Sequence, residues 1–379
     1  MNVTLDDLRR YAVARSLFAP TTVMRAIGRL GFVQADPIRA PARAQDLILR
    51  PRVAGYRAGD LEQRYPRLAL EEDFFVNYGY LPRAARTDLH PRPWPADWDA
   101  QRNAQARQIL AFVASQGTVH PRQVEAAFAH GTTRNGFGGR SQLGTQLLDA
   151  LHYRGWLRVA GRQAGVRCYA LAPAALREVM APQQAAARAD ALIDRVVGLY
   201  APLPAASLSQ LVTYLGRGAP QLKPALRLAL GRARQRLGQA AVAGTTWYWP
   251  AGEQPAGKRW KPEGGVRLLA PFDPVVWDRR RFALFWDWEY RLEAYTPPAR
   301  RERGYYALPL LWQGQAIGWA NLVVVEGRLQ ATPGYVAGQA PAAPGFAPAL
   351  AAELAAMARF LGVMPPLDGS TGTGCPHLL

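Results

Sequence analysis

At 379 residues, 49% hydrophobic and 20% charged, the chain is long enough for several domains with buried cores. No apolar run approaches the ~18 residues of a membrane-spanning helix, and the start Met1-Asn2-Val3-Thr4-Leu5-Asp6-Asp7 lacks the basic-then-apolar order of a secretory leader, so a cytoplasmic, nucleoid-associated protein is expected. A formal net charge of +18 points to a polyanion such as nucleic acid, with simple solubility as the plainer use.

Residues 4–17 read as a helix with Thr4 as N-cap and Asp7 closing a capping box, and Thr21 or Thr22 caps a second helix to about Leu30. Residues 32–38 are expected to be a strand that Pro37 stops. Positions i and i+2 of a strand share a face, so Gln34 and Asp36 would project together, next to Arg39 and Arg43. Helical stretches near 42–50 and 59–65 lead into the acidic cluster Glu71-Glu72-Asp73 and an aromatic run from Phe74 to Tyr80, and the prolines around Trp94 mark a linker.

The clearest pattern follows: a helix over 100–115, a short helix led by His120-Pro121, a helix over 142–153 capped by Ser141, then strands at 156–159 and 166–171. Helix, helix, helix, hairpin is the order of a winged helix-turn-helix. It recurs as a helix over 184–200, a helix over 208–215 capped by Ser207, a basic helix over 223–240 and a strand at 245–250, and the first ~95 residues fit it loosely. Beyond Val266, strands at 308–312, 315–325 and 328–331 alternate around the tight turns Gln313-Gly314 and Glu326-Gly327. The expected fold class is therefore α+β: three tandem winged helix-turn-helix domains (1–98, 99–181 and 182–265), then a C-terminal β-barrel-like domain (266–365) with a closing helix over 347–361 and a flexible tail (366–379).

Cys168 and Cys375 give neither a disulfide framework nor a zinc spacing, so no metal or other cofactor is expected. Cys168 reads as a small buried hydrophobe, and Cys375 with His377 as part of a frayed end. Glu71, Glu72 and Asp73 read as a solvated or helix-capping acidic patch, the other reading being a second acid or metal site. The loop 136–141 lacks the Gly-Lys-Ser/Thr of a nucleotide P-loop and is either a phosphate-holding helix start or a plain turn. Trp286 and Trp288 read as core rather than as base-stacking platforms.

The run from Gln34-Ala35-Asp36 through Asp46-Leu47-Ile48-Leu49, Tyr56-Arg57, Asp60-Leu61 and Glu72-Asp73 to Asn77-Tyr78-Gly79 resembles the AlkZ/YcaQ family of bacterial DNA glycosylases. So does Leu269-Ala270-Pro271-Phe272-Asp273-Pro274-Val275-Val276-Trp277-Asp278-Arg279-Arg280-Arg281, followed by Tyr290-Arg291-Leu292-Glu293-Ala294-Tyr295. The resemblance implies winged helices with a C-terminal β-barrel, and excision of N-alkylated purines, including the unhooking of interstrand crosslinks. It also implies a catalytic Gln-x-Gln or Gln-x-Asp motif. Gln34-Ala35-Asp36 fits the second, YcaQ-like branch.

An N7-alkylated guanine is already cationic and leaves readily, so the chemistry needs a carboxylate to guide water and to stabilise the positive sugar. Asp36 is expected to do this, with Gln34 positioning the water or the sugar-phosphate. All but three of the 46 basic residues are arginine, and the lysines (Lys223, Lys258 and Lys261) come late in the chain. Water is therefore expected as nucleophile rather than a Schiff-base amine, giving a monofunctional glycosylase. Arg39, Arg43, Arg140, Arg154, Arg279, Arg280 and Arg281 are the expected contacts to double-stranded DNA carrying alkylated or crosslinked purines, the other reading being ion pairs of Arg39 and Arg43 with Asp36 or Asp46 and of the arginines at 279–281 with Asp273 and Asp287; a monomer suffices. The competing readings are a non-enzymatic winged-helix DNA-binding regulator and a metal-dependent nuclease using Asp36 with Glu71, Glu72 and Asp73.

Overall fold

The structure is a computed structural model in which residues 3–134, 138–178, 180–262 and 264–367 are described. In chain order the elements are α1 (Leu5–Ser16), α2 (Val23–Leu30), β1 (Val33–Gln34), α3 (Ala44–Leu49), α4 (Asp60–Arg64), β2 (Leu70–Phe74), β3 (Tyr78–Pro82), α5 (Ala100–Gln116), β4 (Thr118–Val119), α6 (Pro121–Phe128), β5 (Thr132–Arg134), β6 (Arg140–Gln142), α7 (Leu143–Tyr153), β7 (Leu157–Gln163) and β8 (Val166–Leu171). They continue with α8 (Pro182–Tyr200), β9 (Leu203–Pro204), α9 (Ala205–Gly218), α10 (Lys223–Arg236), β10 (Gly238–Val242), β11 (Thr245–Trp249), β12 (Val266–Leu268), α11 (Arg279–Trp286), β13 (Leu308–Trp312), β14 (Gln315–Val325), β15 (Arg328–Tyr335) and α12 (Phe346–Leu361). The fold is mixed α+β, and no helix among the described residues is long and apolar enough to cross a membrane.

Local chemistry sets many of these boundaries. Thr4 and Asp7 form the expected capping box on α1, and the Thr22 hydroxyl accepts from Arg25 N to start α2. Gly31 ends α2 at φ +79°, and a Cβ there would stand 3.0 Å from Arg195 Cγ, so glycine serves both the turn and the close approach. Other expectations shift. The strand at Gln34 is only two residues long and ends three residues before Pro37, so Asp36 lies in the following loop, where its side chain accepts from Ile38 N. Ser141 belongs to β6 and does not cap α7, and Ser207 lies inside α9, which begins at Ala205. The loop residues Gly136 and Phe137, and the end of the tail with Cys375 and His377, lie outside the described residues.

The chain divides into two compact units. One comprises residues 1–61, 195–210 and 234–379. Its four-stranded antiparallel sheet has the order β12-β13-β14-β15, with β12 and β15 as edges rather than a closed barrel. The turns at Gln313-Gly314 and Glu326-Gly327 both carry positive φ, the primed geometry that matches strand twist. Beside it, Trp288, Phe282, Tyr290, Leu269, Val275 and Leu311 form a buried core, which makes Trp288 core as the sequence suggested.

The other unit comprises residues 62–194 and 211–233. Over 100–171 it has the expected helix, helix, helix, hairpin order, with the additional hairpin β5–β6 between α6 and α7 and a three-stranded sheet in the order β4-β8-β7. Its acidic strand β2 corrects both sequence readings. Glu71, Glu72 and Asp73 are all buried and matched by arginines, not solvated and not arranged as metal ligands. Glu71 meets Arg83 at 2.9 Å and Arg158 at 2.9 Å. Glu72 meets Arg162 at 2.6 Å and accepts from the Tyr78 hydroxyl at 2.9 Å. Asp73 is ringed by Arg86 (2.7 Å), His90 (2.8 Å) and Arg92 (2.8 Å). Burial alone would raise the Asp73 carboxyl, but Arg92, His90 and Arg86 overcome it and hold it well below the usual range.

Burial pushes His90 down to about 4, against the pull of Asp73, and pushes His152 down to about 3, with Arg86 adding repulsion. Both lie below the ordinary 6.5, so between pH 6.5 and about 4 the unfolded chain binds protons that the folded chain refuses. Stability should therefore fall as pH drops through that window, by about 1.4 kcal/mol per pH unit for each histidine. Urea midpoints should be level between about pH 7.5 and 6.5 and then decline towards pH 5. Equal midpoints at pH 7 and 5 would contradict buried neutral histidines.

Candidate active site

The site is built in the first unit from the loop after β1 and the segment 269–281. The buried Arg52 anchors that segment: its guanidinium makes two bonds to Asp273, at 2.7 and 3.0 Å, and others to Ser16 and to the Ile48 carbonyl. Asp273 also accepts from Val275 N at 3.0 Å. Arg279 donates to the carbonyls of Pro271 and Val276 and lies over the Tyr290 ring at 4.5 Å. Arg281, 1% exposed, donates from its two terminal nitrogens to the carbonyls of Tyr200, Pro274 and Val275. Asp278 caps α11 through Arg281 N. These charges fix a loop that carries few backbone ladder bonds of its own, and the loop presents Trp277, stacked on Tyr200 with ring centroids 4.8 Å apart.

Trp277 Nε1 donates to Gln34 Oε1 at 2.9 Å. An indole N–H can only donate, so it must face the amide oxygen. That fixes the Gln34 amide orientation and leaves its NH2 group without a bond to another described residue. Gln34 is 4% exposed, so this donor is aimed from an otherwise enclosed side chain.

Asp36 is half-buried. Its Oδ1 accepts from Ile38 N at 2.9 Å, a turn closed by the side chain itself. Its main-chain N–H reaches Gln45 Oε1 at 3.4 Å. Burial raises the Asp36 carboxyl above its ordinary value, and the Ile38 N–H offsets only part of that. No ion pair to Asp36 forms among the described residues, so this is a carboxylate held basic, with its second oxygen unbonded. The charge of Asp36 contributes to raising the Tyr306 hydroxyl, after burial. Tyr306 is 3% exposed and its hydroxyl has no hydrogen-bond partner among the described residues.

The expected DNA-contact arginines separate by environment. Arg39 and Arg280 are exposed, and Arg43 is partly exposed at the N-cap of α3. Arg279 and Arg281 are committed to main-chain carbonyls, and for Arg281 burial is nearly complete, so its expected role as a DNA contact is corrected to that of a loop clamp. In the other unit, Arg140 is exposed and bonded to Thr132, and Arg154 lies over the rings of Trp98 and Tyr153 with a bond to the Ala150 carbonyl. Sequence reasoning missed Trp277, Tyr306 and Arg52 as parts of the site. Trp277 at least stands in the 269–281 run that carried the resemblance.

A model of the family described as "DNA glycosylase AlkZ-like" matches residues 27–360, a span that holds Gln34, Asp36 and the 269–281 segment. Among solved structures, the DNA glycosylase AlkZ of Streptomyces sahachiroi is similar with a TM-score of 0.62 at 18% identity, over 96% of this chain and 99% of that one. At that identity the likeness is one of fold.

Proposed function

Because this chain belongs to the AlkZ-like DNA glycosylase family and is a DNA glycosylase on that ground, we propose that it releases N-alkylated purines, above all N7-alkylguanine, from double-stranded DNA, and unhooks interstrand crosslinks made through that atom. Asp36 is proposed as the catalytic carboxylate. As the C1′–N9 bond breaks, its electrons return to the cationic base, water oxygen bonds to C1′, and the water proton passes to the free Asp36 oxygen. The observation that carries this is an unpaired carboxylate whose proton affinity is raised by burial, two residues from an amide of fixed orientation. Gln34 donates from its free NH2 group to that water or to the sugar-phosphate, and the Tyr306 hydroxyl supplies a further polar group on the Asp36 side. Arg39, Arg43 and Arg280 are proposed to hold the backbone on this unit, and Arg140 and Arg154 on the other.

The segments 1–98, 99–181 and 182–265 are proposed as three winged-helix domains, followed by a C-terminal β domain over 266–365, in a protein that works as a monomer. Product is proposed to be an abasic site, without strand cleavage.

The test uses purified protein in EDTA with duplex DNA carrying N7-methylguanine or a nitrogen-mustard crosslink, then hydroxide and a denaturing gel. Strand cleavage that depends on hydroxide is expected on both substrates, with no adduct trapped by borohydride. Intact substrate in both lanes overturns the lesion class, and a borohydride adduct overturns the water mechanism.

Trp277→Phe keeps the stack on Tyr200 but removes the donor to Gln34. It should cost about 1 kcal/mol of stability and slow single-turnover base release by about tenfold, because the amide is no longer held in one orientation. A variant with the wild-type single-turnover rate would mean that the Gln34 orientation does not matter.

A further inference from the structure

A cavity of about 360 Å³ in the first unit does not include Gln34 or Asp36. Arg15, Arg29, Arg259, Glu253, Phe18 and Trp260 line it. Its volume is in the range of small-ligand sites. The charges within it do not balance. Glu253 is its only carboxylate, and both oxygens are already used: Arg15 makes a two-pronged contact at 3.0 and 3.1 Å, and the Tyr11 hydroxyl donates at 2.8 Å. Arg15 is itself completed by the Gly198 carbonyl.

Arg29 and Arg259 are different. Neither forms an ion pair among the described residues. Arg29 lies over the Phe18 ring at 4.2 Å, and Arg259 over the Trp260 ring at 4.4 Å. The aromatic faces hold both guanidinium planes without consuming their N–H donors, which leaves forks that match phosphate oxygens. Partial burial and the neighbouring Arg15 disfavour the charged form of Arg29, and Glu253 offsets only part of this, so an added anion would favour it.

We infer that this cavity is a phosphate-binding site, in which Arg29 and Arg259 grip one phosphate group between Phe18 and Trp260. The phosphate comes either from the DNA backbone or from a free nucleotide. Binding here is separate from base release, so failure of this site leaves the glycosylase reading untouched, and failure of the glycosylase reading leaves this one standing.

The test is the double variant Arg29→Gln/Arg259→Gln in the full chain. Both residues are exposed, and melting temperature confirms the fold. Two titrations are run on wild type and variant: undamaged duplex at several salt concentrations, and dAMP with inorganic phosphate as its minimal form. If the phosphate is a DNA backbone group, the variant binds duplex severalfold more weakly and the slope of log K against log salt becomes shallower by about one. If it is a free nucleotide, wild type binds dAMP saturably, the variant does not, and duplex affinity is equal. Equal duplex affinity and slope, together with no saturable dAMP or phosphate binding by wild type, overturns the inference.

Discussion

Asp36→Asn should leave the protein folded and able to bind duplex while base release falls by at least a factor of about a hundred. The substitution is chosen for what it keeps. Asn retains an oxygen at Oδ1 to accept from Ile38 N, so the turn that positions the side chain survives. It loses the negative charge and the proton acceptor, the two properties the proposed step requires. No arginine pairs with Asp36 among the described residues, so neutralising it strands no buried cation and stability should change little. Single-turnover release of N7-methylguanine, with melting temperature and duplex affinity measured alongside, gives the answer. Wild-type rates in a folded Asp36→Asn protein would remove the carboxylate from the mechanism. The pH profile adds a second readout: because burial raises the Asp36 carboxyl, the rate should fall with acid from a higher pH than an ordinary aspartate would give.

Asp73→Ala should have the largest effect on stability, a loss of at least about 4 kcal/mol. Asp73 is 0% exposed and sits against Arg86, Arg92 and His90, none of which reaches water. Removing the carboxylate leaves two buried guanidinium groups facing each other and deletes four hydrogen bonds, from Arg86, His90, Arg92 and the Phe74 main-chain N–H. Asp73→Asn keeps the shape and some acceptor capacity, so it should lie between alanine and wild type. Urea unfolding ranks the three. If alanine costs less than about 1 kcal/mol, the network is not the clamp its geometry describes.

The same network shows what the charge count conceals. A net charge of +18 suggests a polyanion partner, yet Arg52, Arg86, Arg92 and Arg281 are all buried and do internal structural work. These four neutralise acids or cap carbonyls within the chain. The basic groups that can meet DNA are the exposed ones, such as Arg39 and Arg280, and nothing in composition separates the two kinds.

What the sequence determined by itself was local or repeated. The Thr4–Asp7 capping box, the turns at Gln313-Gly314 and Glu326-Gly327, and the helix, helix, helix, hairpin order over 100–171 follow from side chains acting on backbone a few residues away. The Gln34/Asp36 pair was legible in the same way, as two polar groups where a core strand would put apolar ones. It took long-range contacts to show that Asp36 leaves the strand, that Trp277 holds Gln34 from 243 positions away, and that Glu71, Glu72 and Asp73 are buried against arginines rather than solvated. The reason is physical. A carboxylate or guanidinium takes its character from the partner it meets and from the water it loses, and both depend on residues far along the chain.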